Sequence, residues 1–222
     1  MATATTRGAA VRRGVRLEVV TVIWMAAEAV LAIGAGISAR SVLLTAFGFD
    51  SVIELLSGIV LLRRLNFEAK GRSQDGIERM ERTTARISAA LLILLCVYVV
   101  VTSVGGLLLG LKPEGSVLGI AVAAAALVVM PLLAWAKSRA NRLIGSASLR
   151  ADIAETITCT YLAAVTLAGI GLSALLGIWW LQYIAAIALL IWLVPETREA
   201  LEAATGGRHE DQHHATDSGL ED

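Results

Sequence analysis

Two acidic residues, Asp50 and Glu54, stand one helical turn apart inside an otherwise apolar stretch of the chain. A second polar stripe, formed by Asp152, Glu155 and Cys159, opens another apolar stretch with the i, i+3, i+7 spacing of one helix face. An ionisable side chain at the centre of a bilayer costs about 3 kcal/mol even on lenient insertion scales, so such residues usually face a bundle interior and mark a path for ions, protons or a substrate. The two stripes therefore predict a protein that handles cations.

Long apolar blocks must position these stripes. Hydrophobic residues make up 56% of the 222-residue chain, and the mean hydropathy is +0.71. A helix needs roughly 20 residues to cross a hydrocarbon core of about 30 Å. Six blocks are long enough, at about residues 17–37, 41–62, 87–110, 116–136, 149–176 and 178–196. The sequence predicts an all-α membrane protein, a bundle of six transmembrane helices in contact with the lipid bilayer.

The basic residues lie on alternate sides of the predicted spans. They precede span one, follow span two and surround the entry to span five, whereas the opposite loops carry only Arg40 and Lys112. By the positive-inside rule, both termini are cytoplasmic. We therefore expect three parts: a basic cytoplasmic arm (1–16), a transmembrane domain (17–198) and a disordered, acidic cytoplasmic tail (199–222).

Several classes of protein receive no support from the sequence. It contains no Gly-rich phosphate loop, nucleophile elbow, CxxC pair or HExxH motif. A catalytic role for Cys159 would lack an intramembrane histidine as base. We expect neither an enzyme nor a nucleic-acid partner. The excess of Arg over Lys, with abundant Ala, is typical of a GC-rich bacterial genome, so the expected location is a bacterial plasma (inner) membrane.

The depths of the two stripes in the membrane can be matched. With a rise of about 1.5 Å per residue, Asp50 lies roughly 18 Å and Glu54 roughly 12 Å above the inner boundary of span two. Glu155 and Cys159 lie roughly 9 and 15 Å above it on span five. If the two spans are antiparallel neighbours, Asp50 faces Cys159 and Glu54 faces Glu155. These four residues are the predicted metal ligands.

Such a cluster couples metal binding to protons. Three carboxylates this close cannot all be ionised in a medium of low dielectric constant unless a cation neutralises them. Without metal some of them should hold protons, which metal binding releases. A site that exchanges protons for a divalent cation, and that opens alternately to each side, predicts a proton/metal antiporter.

Three further polar residues are candidates for a gate or for supporting the ligands. Asp152 lies near the cytoplasmic end of span five, where a role in starting the helix is the alternative. Glu28 lies in the middle of span one, where a proton-handling role and a buried hydrogen bond are both open. Ser51 follows Asp50 directly. Glu18, in contrast, is expected to be solvated at the membrane interface.

Two segments carry a resemblance to a known family. Residues 49–54, FDSVIE, resemble the second-helix D-x-x-x-D element of the cation diffusion facilitator, or cation efflux, family. Residues 149–159, LRADIAETITC, resemble its fifth-helix R-A-D-x-x-H-x-x-x-D element. The resemblance covers about residues 15–198, the transmembrane domain only. It implies four tetrahedral ligands for Zn²⁺ or a related divalent ion, proton-coupled alternating access and no permanently bound cofactor.

The ligand set differs from the family pattern at three positions. Glu54 and Cys159 stand where the family usually has Asp, and Glu155 stands where it usually has His. Three oxygens and one thiol do not suit Mg²⁺ or Ca²⁺, which prefer six or more oxygen ligands. Zn²⁺, Cd²⁺, Co²⁺ or Fe²⁺ could accept the set, and zinc is favoured.

A different function remains open at this point. Family members commonly carry a cytoplasmic ferredoxin-like domain after the sixth span, whereas only about 25 residues follow it in this sequence. We therefore expect any homodimer to form through the transmembrane helices. The changed ligands also leave the alternative of a non-transporting membrane metal sensor or assembly subunit derived from this family.

Overall fold

The chain folds into six α-helices. The computed structural model describes residues 2–69 and 75–217, and within these ranges it contains no strand. The helices are α1 (Ala2–Ser38), α2 (Val42–Ala69), α3 (Asp75–Leu109), α4 (Val117–Ile144), α5 (Ala147–Leu176) and α6 (Leu181–Asp217). In the described part of the chain, five segments are long and apolar enough to cross a membrane: Ala9–Ser38, Val42–Phe67, Ala85–Leu109, Val117–Ile144 and Leu149–Leu176. The predicted fold class, an all-α bundle of six helices in a membrane, is confirmed.

The first and last helices extend beyond the predicted spans. Helix α1 begins within the segment 1–16, and α6 continues to Asp217, although a disordered tail was expected from residue 199. Pro195 lies inside α6 and does not end it. The residues after it include Ala and Glu, which are among the best helix formers, so the composition allows the helix to continue. The side on which the termini lie stays a prediction.

Helix α2, which carries Asp50 and Glu54, has the largest number of neighbours. It packs against α1, α3, α5 and α6. Its approach to α1 is close because Gly36 and Gly48 lack side chains: a Cβ at Gly36 would lie 2.6 Å from the backbone nitrogen of Thr45. Helix α5 packs against α2, α4 and α6. The assumption that spans two and five are neighbours is therefore correct.

A tight connection fixes the start of α5 relative to α4. Gly145 ends α4 in the left-handed conformation, with φ of 71°, which costs glycine little. The backbone N–H of Ser146 donates to Oδ1 of Asn141 at 2.9 Å, and the amide of Asn141 donates back to the carbonyl of Ser146 at 3.1 Å. The Ser146 hydroxyl then accepts from the N–H of Leu149 as the N-cap of α5. This turn sets the position of Asp152, two turns along α5.

Three buried charged side chains join α1, α4 and α5. The Lys137 Nζ atom lies 2.9 Å from Oε2 of Glu18 and 2.6 Å from Oδ2 of Asp152. Lys137 and Glu18 are 1% and 0% exposed, and Asp152 is 9% exposed. The expectation that Glu18 is solvated is wrong, because α1 turns this residue toward α4. The sequence analysis counted Lys137 among the basic residues before span five. The structure instead buries its side chain between α1, α4 and α5.

Replacing Lys137 with methionine tests this ion-pair triad. Removing the ammonium leaves two buried carboxylates without a counter-charge, so Lys137→Met should lower the free energy of unfolding by about 3–5 kcal/mol. The measurement is denaturant unfolding of the purified protein in detergent micelles, with the exposed Lys112→Met variant as the matched control. Adding Glu18→Gln and Asp152→Asn to Lys137→Met should recover most of the loss. Equal stability of Lys137→Met and the control would contradict a stabilising role.

Candidate metal centre

The two acidic residues of α2 are buried, and in the described part of the chain no N–H or O–H group donates a hydrogen bond to them. Asp50 is 2% and Glu54 is 3% exposed. Within the described ranges, none of their four carboxylate oxygens receives a hydrogen bond from an N–H or O–H group. An ionised carboxylate removed from water and left unpaired costs several kcal/mol. These two side chains therefore require either a bound cation or protons of their own.

The thiol of Cys159 completes a compact group with these carboxylates. Cys159 lies on α5 and is fully buried. One ligand atom from each of Asp50, Glu54 and Cys159 lies within 4.8 Å of the other two. Ligand atoms 2.0–2.3 Å from one zinc ion are about 3.5 Å apart, so side-chain shifts of about 1 Å would bring the group to zinc-binding distances. We refer to these three residues as the buried ligand group.

Glu155, the fourth predicted ligand, lies outside this group. It stands one helical turn before Cys159 on α5, is half-buried, and lines a cavity of about 680 Å³ that also reaches Glu54. The structure thus brings together three of the four predicted ligands and leaves the carboxylate of Glu155 on the cavity side. That any of the four binds metal stays a prediction.

Glu28 and Ser51 lie beside the buried ligand group and are hydrogen-bonded to each other. The Ser51 hydroxyl donates to Oε1 of Glu28 at 2.8 Å, and Trp24 Nε1 donates to Oε2 at 2.6 Å. The Cys159 thiol lies 3.8 Å from Oε1 of Glu28. Of the two roles considered for Glu28, the structure shows the buried hydrogen bond. These contacts connect α1 to both helices that carry the group.

Asp152 connects the cavity to the ion-pair triad. Its carboxylate binds Lys137, and the residue also lines the cavity. Its role as a gate stays a prediction. The alternative, that Asp152 only starts the helix, does not account for its ion pair with Lys137 or for its place in the cavity lining. Ser146 caps α5, six residues before Asp152.

The cavity lies between α2, α3, α5 and α6, and its charged lining residues are all acidic. They are Glu54, Asp152, Glu155, Glu196 and Glu199. Among the described residues that line it, there is no Lys or Arg. The sequence analysis did not identify Glu196 or Glu199, which lie at the end of the sixth apolar block and three residues beyond it. The one feature of the sequence that could have indicated them is the spacing of two acidic residues, three apart, directly after Pro195. The resulting negative potential favours the entry of cations.

A family comparison identifies the domain to which these residues belong. The model of the cation efflux transmembrane domain matches residues 19–204. The match includes the buried ligand group and all the residues that line the cavity. No curated protein sequence matches the chain significantly. The family consists of metal-cation efflux transporters, and its transmembrane domain covers most of the chain. The protein is therefore an integral membrane protein that belongs to the cation efflux family.

Proposed function

We propose that the protein exports a divalent transition-metal cation, zinc in preference, in exchange for protons. The observation that carries the proposal is the buried ligand group, in which two carboxylates without donors and one thiol lie within 4.8 Å of one another. Carboxylates kept only for packing would normally be paired with hydrogen-bond donors. Their unpaired state is the expected form of a site whose partner is a transported ion.

The chemistry of the ligand atoms favours transition metals over Mg²⁺ and Ca²⁺. A thiolate is a soft ligand that suits Zn²⁺ and Cd²⁺, whereas Mg²⁺ and Ca²⁺ require more oxygen ligands than this group supplies. Asp50, Glu54 and Cys159 provide three ligands, and zinc sites with three protein ligands keep a fourth position open. Glu155 would fill that position if its side chain turned from the cavity toward Glu54.

Proton exchange follows from the burial of the same groups. When no metal is bound, the repulsion and the desolvation of two adjacent carboxylates favour their protonated forms. A divalent cation binds the deprotonated forms and thereby releases protons. If the protons leave toward the side of low proton concentration, an inward proton gradient drives the metal outward. The acidic cavity supplies the approach from the predicted cytoplasmic end of the bundle.

The first test is transport in reconstituted liposomes under an imposed pH gradient. We expect Zn²⁺ flux in the wild type and a loss of about 100-fold in Asp50→Asn, since that variant removes a charged ligand. Glu114→Gln, which removes an exposed carboxylate from the loop before α4, is the matched control. Unchanged flux in Asp50→Asn would remove this residue from the site. The absence of flux for every divalent metal in folded wild type would favour the sensor or assembly role.

The second test compares the two cysteines. Cys159→Ser replaces a soft ligand with a hard one, so it should lower the affinity for Cd²⁺ relative to Mn²⁺ by roughly tenfold. Cys96→Ser should leave this ratio unchanged, because Cys96 lies on α3 outside the buried ligand group. Competition binding with both metals gives the ratio. The same result for both variants would show that Cys159 does not bind the metal.

The third test concerns Glu155. An imidazole suits zinc better than a carboxylate does, so Glu155→His should raise the affinity for Zn²⁺ measured by calorimetry, roughly tenfold if the residue is a ligand. A fall in zinc affinity would show that the position of Glu155 is not that of a ligand and would leave the group with three protein ligands.

A further inference from the structure

Glu196, on α6, lines the cavity and has one carboxylate oxygen without a hydrogen-bond partner in the described part of the chain. Its Oε2 atom is buried and has no hydrogen-bond partner among the described residues. Glu196 lines the cavity together with Glu155 of α5 and Glu54 of α2. Glu54 is 3% exposed, and both of its oxygens lack partners in the described part of the chain. Carboxylates from three helices thus face one space, and two of them carry oxygens that the described protein groups leave unpaired.

The charges around Glu196 are mutually repulsive. Its carboxylate repels those of Asp50, Glu54 and Glu155. The nearest buried cation, Lys137, is held between Glu18 and Asp152. Within the described lining of the cavity, no basic side chain offsets the repulsion. A cation taken up from solution would offset it.

Pro195 interrupts the backbone hydrogen bonding of α6 next to Glu196. Pro195 has no N–H, so it cannot donate the usual helical hydrogen bond to the carbonyl of Ile191. Ile191 also lines the cavity. The neighbouring Thr197 hydroxyl lies 3.7 Å from the Cys96 thiol of α3, a contact that holds this turn of α6 against the bundle. The turn with Glu196 therefore combines a carboxylate and a carbonyl oxygen that lacks its helical donor.

We infer that Glu196 and Glu155 form a second cation site, in which a partly hydrated divalent metal ion is held before it passes to the buried ligand group. The cavity of about 680 Å³ has room for an ion with its water ligands. Glu54 lies at the boundary, since it lines the cavity and also belongs to the buried ligand group. The direction of transfer, although not the binding site, rests on the proposed export function.

The two sites differ in the kind of metal that they prefer. The cavity site offers only oxygens, which hard and borderline cations such as Mn²⁺ accept. The buried ligand group includes the Cys159 thiol, which favours softer ions. The cavity site would therefore bind divalent cations weakly and with little discrimination, and selection would occur at the buried ligand group.

Calorimetric titration of the full-length protein in detergent with Cd²⁺ tests the inference directly. We expect two ions per wild-type chain, one bound tightly and one weakly. Glu196→Gln should lose the weak site and keep the affinity of the tight site within about threefold, whereas Asp50→Asn should lose the tight site. Glu114→Gln should keep both. Binding of a single ion to the wild type would overturn the inference, as would two sites in Glu196→Gln with unchanged affinities.

Transport separates this inference from the proposed function. In liposomes, Glu196→Gln should raise the metal concentration at half-maximal flux about tenfold while the maximal flux is preserved, since only the holding step is lost. Glu196→Asp should restore the wild-type value. Two Cd²⁺ sites without any flux would support the second site and reject the export function. Flux that is lost in Asp50→Asn but unaltered in Glu196→Gln would support export and reject the second site.

Discussion

The structure depends on the burial of negative charge that the surrounding helices leave unneutralised. Asp50 and Glu54 lie on α2, which contacts four of the other five helices, and they are only 2% and 3% exposed. Within the described ranges no N–H or O–H group donates to them, and the Ser51 and Trp24 donors bind Glu28 instead. A low dielectric makes such groups expensive as anions. Metal binding and protonation are two ways to offset this cost, and alternation between them is the basis of the proposed exchange.

The ion-pair triad shows the contrasting use of buried carboxylates. Glu18 and Asp152 are also buried, yet both lie against the ammonium of Lys137. The triad connects α1 and α5 through α4 and therefore supports the two helices that contribute Glu28 and Cys159. Asp152 also faces the cavity, one turn before Glu155. Helix α5 thus carries Asp152, which is paired with Lys137, and further along Glu155 and Cys159, which are the proposed ligands.

The proposed ligands change from oxygen atoms in the cavity to a group that includes a thiol in the bundle interior. The carboxylates of Glu155 and Glu196 line the cavity, and the thiol of Cys159 belongs to the buried ligand group, which shares Glu54 with the cavity lining. Carboxylates attract any divalent cation, whereas a thiolate discriminates in favour of soft ions. An ion that enters would lose water stepwise as it meets more specific ligands. Two of the three positions that differ from the family pattern, Glu155 and Cys159, supply the two contrasting ligand types of the proposed path.

The sequence by itself determined the membrane location, the number of helices and the faces on which Asp50, Glu54 and Cys159 lie. These features depend on long apolar blocks and on local helical spacing, and both can be read directly from the amino-acid sequence. Tertiary structure decided which charges are paired. Lys137 and Glu18 are more than one hundred residues apart, and nothing local indicates that α1 turns a glutamate toward a lysine of α4. It also decided that Glu155 lines the same cavity as Glu196 of α6. Spacing fixes the direction of a side chain on its own helix, but only the packing of helices fixes what lies in front of it.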